Sequence, residues 1–211
     1  MRKELEAFDD EYFKDVGVLM DTRLPEPTML EYYQRLRNRE ILWNEDISED
    51  TIMIANHIIA WNREDENIPT NDRKPIRIWI NSDGGDANTV MHIIDVIKLS
   101  KTPVITIGMG KVYSAGGLLL MSGHKRLIFE NTCCLIHDGY SGTFGTVGKV
   151  IDNIEFQKRL EHKMKEFIIN QTKITDEEYE KNYRRDWFMF SDEIIKYGIA
   201  DEIITQIDPL M

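Results

Sequence analysis

Ser114 stands in GKVYSAGGLLLMSG (110–123), a lone small hydroxyl ahead of an Ala-Gly-Gly run and an apolar segment. By itself such a serine reads as a helix N-cap, its oxygen accepting from unpaired backbone N–H groups. As a nucleophile it would need a base to take its proton, a group to orient that base, and donors for the developing oxyanion. Five histidines are available as bases. His57 and His92 fall inside amphipathic helical stretches and read as structural. Solvent exposure accounts for His124, in a GHK turn, and for His162, on the charged face of a long helix. His137 differs, because it ends the apolar run CCLI beside glycines.

For Ser114 and His137 to meet, strand ends must bring them together. IRIWI (76–80), PVITIGMG (103–110), RLIF (126–129) and CCLIH (133–137) are β-branched or apolar runs of strand length. Between and around them, SEDTIMIANHIIAWNRE, residues 88–100 and residues 147–171 carry apolar residues at helical spacing. ENIPTNDRKP (66–75) reads as loop, Thr175 with Glu178 as a capping box, and Gly198 as the stop of the short helix SDEIIKYG. This alternation predicts an α/β domain on a mainly parallel sheet. Three glycine-containing turns follow strands: NSDGG, GMGKVYS and HDGYSG. Ligands bind at the carboxyl ends of such strands, so the three turns are expected to converge on one site. The glycines of NSDGG let backbone approach a ligand, and the N–H of Ala115 opens a helix.

Composition narrows the class of activity. The 211 residues carry a formal charge of −11, which disfavours binding to a phosphate backbone, and no basic tract offsets it. The only cysteines, Cys133 and Cys134, are neighbours whose side chains point to opposite faces of an extended chain, so they are poorly placed to bridge. That usage fits a reducing compartment, and the cytoplasm is expected. The amino terminus has no signal-like apolar core, and no apolar run is long enough to span a bilayer. Residues 1–28, acidic and ending in LPEPT, read as an arm or tail ahead of a single domain over 29–211.

Taken together, INSDGG (80–85), GMGKVYSAGGLLLMSG (108–123), CLIHDG (134–139) and RRDWFMFSDEIIKYGIADEI (184–203) resemble, in order and spacing, motifs of the Clp protease proteolytic subunits. These are chambered serine peptidases of the crotonase-like superfamily. The resemblance implies a ClpP/crotonase-like fold of repeated β-β-α turns, with a projecting handle over about 139–171. It makes Ser114 the nucleophile, His137 the base and Asp186 the carboxylate orienting it, with the N–H groups of Gly85 and Ala115 as oxyanion hole. It assigns substrate contacts to Gly84, Gly139, Tyr140, Ser141 and Gly142, the last four within a substrate-lining strand at 139–148. It further implies heptameric rings stacked as a tetradecamer, fed with unfolded polypeptide by an AAA+ unfoldase of ClpX, ClpA or ClpC type. ATP is then used by the unfoldase, and this chain needs no cofactor or metal.

Asp83 stands where the family has proline, and Asp138–Gly139 where it has Gln-Pro. The amino-terminal segment shows little likeness to the family's pore-lining arm, which suggests a phage-type processing protease as a variant of the same reading. A non-catalytic ring scaffold is the alternative, set against by the joint presence of Ser114, His137 and Asp186. An acyl-CoA enzyme of the superfamily would not need that set. An α/β-hydrolase would run Ser…Asp…His and carry glycine where Val112 stands.

Overall fold

The structure, a computed structural model, describes residues 26–207. Most of the arm expected at 1–28 lies outside the described residues. The chain divides into two compact units between Asn38 and Arg39. Of the first, helix α1 (Pro27–Arg37) is described; it begins with proline at its first turn, where the missing N–H costs nothing, and buries no side chain.

The second unit holds the sheet. Strands β1 (Glu40–Trp43), β2 (Ile76–Ser82), β3 (Val104–Tyr113), β4 (Lys125–Ile128) and β7 (Glu202–Ile203) run in the order β1-β2-β3-β4-β7, all parallel. β5 (Cys133–Ile136) joins β3 further along, and β6 (Trp187–Met189) pairs antiparallel with β5. Helices α2 (Ile52–Glu64), α3 (Ala87–Leu99) and α4 (Ala115–Met121) pack in succession against one another, and α4 also packs against β3. α5 (Val147–Gln171), α6 (Asp176–Asn182) and α7 (Ser191–Lys196) follow. This is the expected α/β class.

Sequence pattern accounts for the layers. On β2, Ile76, Ile78 and Ile80 alternate into the core and are fully buried. On α3, Val90, Ile93, Ile94 and Ile97 form one buried apolar stripe. Each such side chain contributes about 1.5–3 kcal/mol on burial. α3 starts where the Asp86 carboxylate accepts from the N–H of Thr89 at 2.6 Å. The capping box of Thr175 and Glu178 and the left-handed Gly198 (φ 67°) lie where their motifs predict.

Two expectations need correction. The strand expected to stop near Gly110 continues to Tyr113, because β3 carries two extra residues opposite β2: Ile80 pairs with Gly108, yet Ser82 pairs with Val112. Gly110 (φ 64°) makes this bulge, and the Asn81 side chain fills it by accepting from the N–H of Lys111 at 2.9 Å. The substrate-lining strand expected over 139–148 is irregular from Gly139 to Phe144 and turns into α5 at Val147. Two glycines, one of them Gly139 at φ 75°, and no neighbouring strand among the described residues leave that stretch nothing to pair with.

Candidate active site

The bulge in β3 divides the strand between two partners. Its first half pairs β4 through Ile105–Gly108, and its second half pairs β5 through Lys111–Tyr113. This switch carries the chain end of β3 to β5, where the N–H of Ser114 donates to the carbonyl of Leu135 at 2.8 Å. Ser114 and His137 consequently line one cleft of about 600 Å³.

Ser114 is no cap. Its side chain makes no capping hydrogen bond, and its backbone stands at φ 51°, ψ −120°, a conformation a non-glycine residue adopts only under constraint. The constraint is visible. A Cβ on Gly84 would stand 2.7 Å from the Cβ of Ser114 and 2.8 Å from the carbonyl oxygen of Tyr113, so only glycine fits beneath the turn. Gly84 and Gly85 themselves have φ of 103° and 139°. Their turn is clamped by Ile47, whose N–H donates to Gly84 at 2.6 Å and whose carbonyl accepts from Asp86 at 2.8 Å.

Antiparallel pairing brings Asp186 to His137. Ile136 faces Trp187 across β5 and β6, so the next residues outward, His137 and Asp186, come face to face. His137 Nδ1 lies 3.7 Å from Asp186 Oδ1. That is longer than a hydrogen bond. Arg184, two residues before Asp186, donates to the Tyr183 hydroxyl at 2.7 Å. Among the described residues no hydrogen bond joins Ser114 to His137. The Tyr140 ring stands edge-on to the imidazole, centroids 5.6 Å apart.

Gly85 and Ala115 line the same cleft, as do Gly139, Tyr140, Ser141 and Gly142. Gly84 does not; its carbonyl is taken by Ile47 and its N–H donates to the Ser82 hydroxyl at 3.2 Å. Beside Ser114, burial, and then a hydrogen bond with Cys133, pushes the Tyr113 hydroxyl up to about 12. Cys133 and Cys134 are both free, and burial raises the Cys134 thiol.

The other histidines have different occupations. His57 stacks on Trp61, and His124 accepts from the N–H of Val104 at 2.9 Å; burial lowers the pKa of both. His124 is thus a structural acceptor and not merely a solvated turn residue. His162 lies 3.4 Å from Glu166 on the exposed side of α5. His92, expected to be structural, is exposed on α3, because the stripe of that helix falls on the residues either side of it. Sequence reasoning missed Asn81, although it sits inside INSDGG, and missed the wall that α5 and α6 give the cleft. The helical period of α5 was readable, but not what it would face.

Among the described residues no helix is long and apolar enough to cross a membrane, and no group of three or more His, Cys, Asp or Glu side chains could hold a metal ion.

The Clp protease family model matches residues 26–207, the whole described span. The chain belongs to the Clp protease family. Relatives include the ATP-dependent Clp protease proteolytic subunit 2 of Treponema pallidum (strain Nichols), 31% identical over 176 residues, covering 82% of this chain and 86% of the relative. The corresponding subunit 2 of Treponema denticola is 33% identical over 132 residues, 62% of this chain and 66% of its own length. The proteolytic subunit of Deinococcus radiodurans is 31% identical over 142 residues, 64% and 68% of the two chains. Membership in the Clp protease family makes this chain a serine peptidase, and a non-catalytic scaffold is not favoured.

Proposed function

We propose that Ser114, His137 and Asp186 form the catalytic triad of a chambered endopeptidase. Ser114 Oγ attacks the peptide carbonyl carbon while His137 takes its proton. With Nδ1 turned to Asp186, the imidazole does this through Nε2 and returns the proton to the leaving amine. Water then releases the acyl group from Ser114 by the same route in reverse. Asp186 holds the ring and stabilises its cationic form once the 3.7 Å gap tightens with substrate bound, a change common between resting and occupied sites.

The N–H groups of Gly85 and Ala115 receive the oxyanion. Neither donates to any acceptor among the described residues, so both are available. Residues 139–142 flank the extended peptide, whose main chain offers the irregular segment the strand partner it lacks within one chain. The observation that carries the reading is the Ser114 N–H to Leu135 bond, which ties the hydroxyl to the strand that ends in His137.

The wider setting is part of the same proposal: homo-oligomeric seven-membered rings, stacked in pairs, in the cytoplasm, receiving unfolded chains from an ATP-consuming Clp unfoldase. The relatives' names, ATP-dependent Clp protease proteolytic subunit, support that assembly. The chemistry is tested with a fluorophosphonate probe and a short fluorogenic peptide. The wild type is expected to label at Ser114 and to cleave, and Ser114→Ala to do neither. Labelling and cleavage surviving in Ser114→Ala would refute the triad.

A further inference from the structure

The cleft combines apolar walls with polar and acidic side chains. Leu118 of α4, with Met164 and Ile168 of α5, lines the sides. Tyr179 lines it too; the residue is 3% exposed, and its hydroxyl makes no hydrogen bond among the described residues. Unlike the indole N–H groups of Trp43 and Trp79, which are sealed off without a partner among the described residues, this hydroxyl keeps solvent access and is open to a bound group. Glu161, half-buried on α5, lines the same space, and after burial its charge is the next contributor raising the Tyr179 pKa.

Charge in the cleft is of one sign. Its acidic side chains are Asp83, Asp86, Asp138 and Glu161, and among the described residues no lysine or arginine lines it; Lys165, whose ammonium lies 5.7 Å from the centre of the Tyr179 ring, is paired with Asp176 and Glu180. Two of the four are occupied: Asp83 by Lys111 Nζ at 2.5 Å, Asp86 by the N–H of Thr89. Asp138 and Glu161 make no hydrogen bond or salt bridge among the described residues. Arg184 feels the Glu161 charge, but its guanidinium donates to the Tyr183 hydroxyl and lies over that ring. A space with aliphatic walls, an unpartnered hydroxyl and an unpaired carboxylate matches a long aliphatic stem with a cationic tip.

We infer that this cleft selects peptides carrying lysine or arginine on the amino side of the scissile bond, with the cation held between Glu161 and Tyr179. This rests on Ser114 being the nucleophile. The apolar walls clasp the stem, and the overall negative charge of the chain favours the approach of cationic segments. Glu161 and Tyr179 are specificity-determining residues and take no part in bond cleavage.

The test uses fluorogenic tripeptides identical except for lysine, leucine or glutamate before the leaving group, with the fluorophosphonate probe run in parallel. The wild type is expected to favour lysine over glutamate by roughly tenfold or more in kcat/KM. Glu161→Gln is expected to shrink that ratio. Tyr179→Phe, which keeps the ring stacked on Tyr183 at 5.1 Å, is expected to raise KM for the lysine peptide specifically. Labelling of Ser114 with leucine or glutamate preferred, or a lysine preference untouched by both variants, would overturn the inference alone. Absence of both labelling and cleavage would overturn the triad reading and this inference together.

Discussion

His137 and Asp186 face each other across the β5–β6 pair with 3.7 Å between Nδ1 and Oδ1, the imidazole largely buried and the carboxylate 56% exposed. A carboxylate in that position gains little for the fold, since an exposed charge facing a single partner contributes at most about 1 kcal/mol. In the proposed triad its value lies in orienting the imidazole. Asp186→Asn is expected to leave the melting temperature within about 4 °C of wild type while lowering kcat by about 10⁴-fold, read by thermal denaturation and peptide hydrolysis on the same preparation. A large loss of stability with little loss of rate would reverse the assignment.

Gly85 is expected to tolerate no side chain. A Cβ there would stand 2.1 Å from the carbonyl oxygen of Ile47, and φ is 139°. Gly85→Ala must therefore displace the turn, at a cost of about 1–3 kcal/mol, and move the N–H proposed for the oxyanion. Urea denaturation and peptide hydrolysis should both decline, with the rate falling by roughly 10²-fold or more.

Asn81 is predicted to matter as a positioning residue. Its side chain accepts from the N–H of Lys111 and donates to Asn44 Oδ1 at 2.5 Å, holding the bulge that sends β3 from β4 to β5. Asn81→Leu keeps the bulk and removes the acceptor, with an expected loss of about 1–3 kcal/mol. Because the bulge sets where Ser114 falls, fluorophosphonate labelling should slow as well. Normal labelling in a destabilised variant would limit Asn81 to a structural role.

Acid should weaken the fold through a carboxylate remote from the cleft. Asp65, 1% exposed, is pushed up by burial, but hydrogen bonds from Arg39 (2.6 and 2.8 Å) and from the Thr102 hydroxyl (2.8 Å) outweigh this and leave it below the usual aspartate range. A folded-state pKa below the unfolded one gives stability that is complete above the ordinary aspartate value and is lost as pH falls through it toward the lower folded value. Asp65→Asn should flatten that acid limb in urea titrations. Breaking the buried pair should cost about 3–5 kcal/mol at neutral pH.

Much of this was written into the chain locally. The alternation of Ile76, Ile78 and Ile80, the stripe from Val90 to Ile97 and the cap at Thr175 each follow from neighbours a few residues apart, and periodicity and capping act over that range. Ser114 and His137 were legible as candidates because each follows a strand, but Asp186 only through likeness to the Clp protease family. What no local pattern contained was register. Ser114 reaches the strand of His137 because a glycine bulge filled by Asn81 makes β3 change partners, and Asp186 meets His137 because β6 runs antiparallel to β5. The acidic lining of the cleft arises in the same way, from α5 and α6 folding over turns far from them in sequence. Residue types and short periods determined which elements form; pairing between distant segments decided which side chains share a space, because hydrogen-bond register is a property of two strands and not of one.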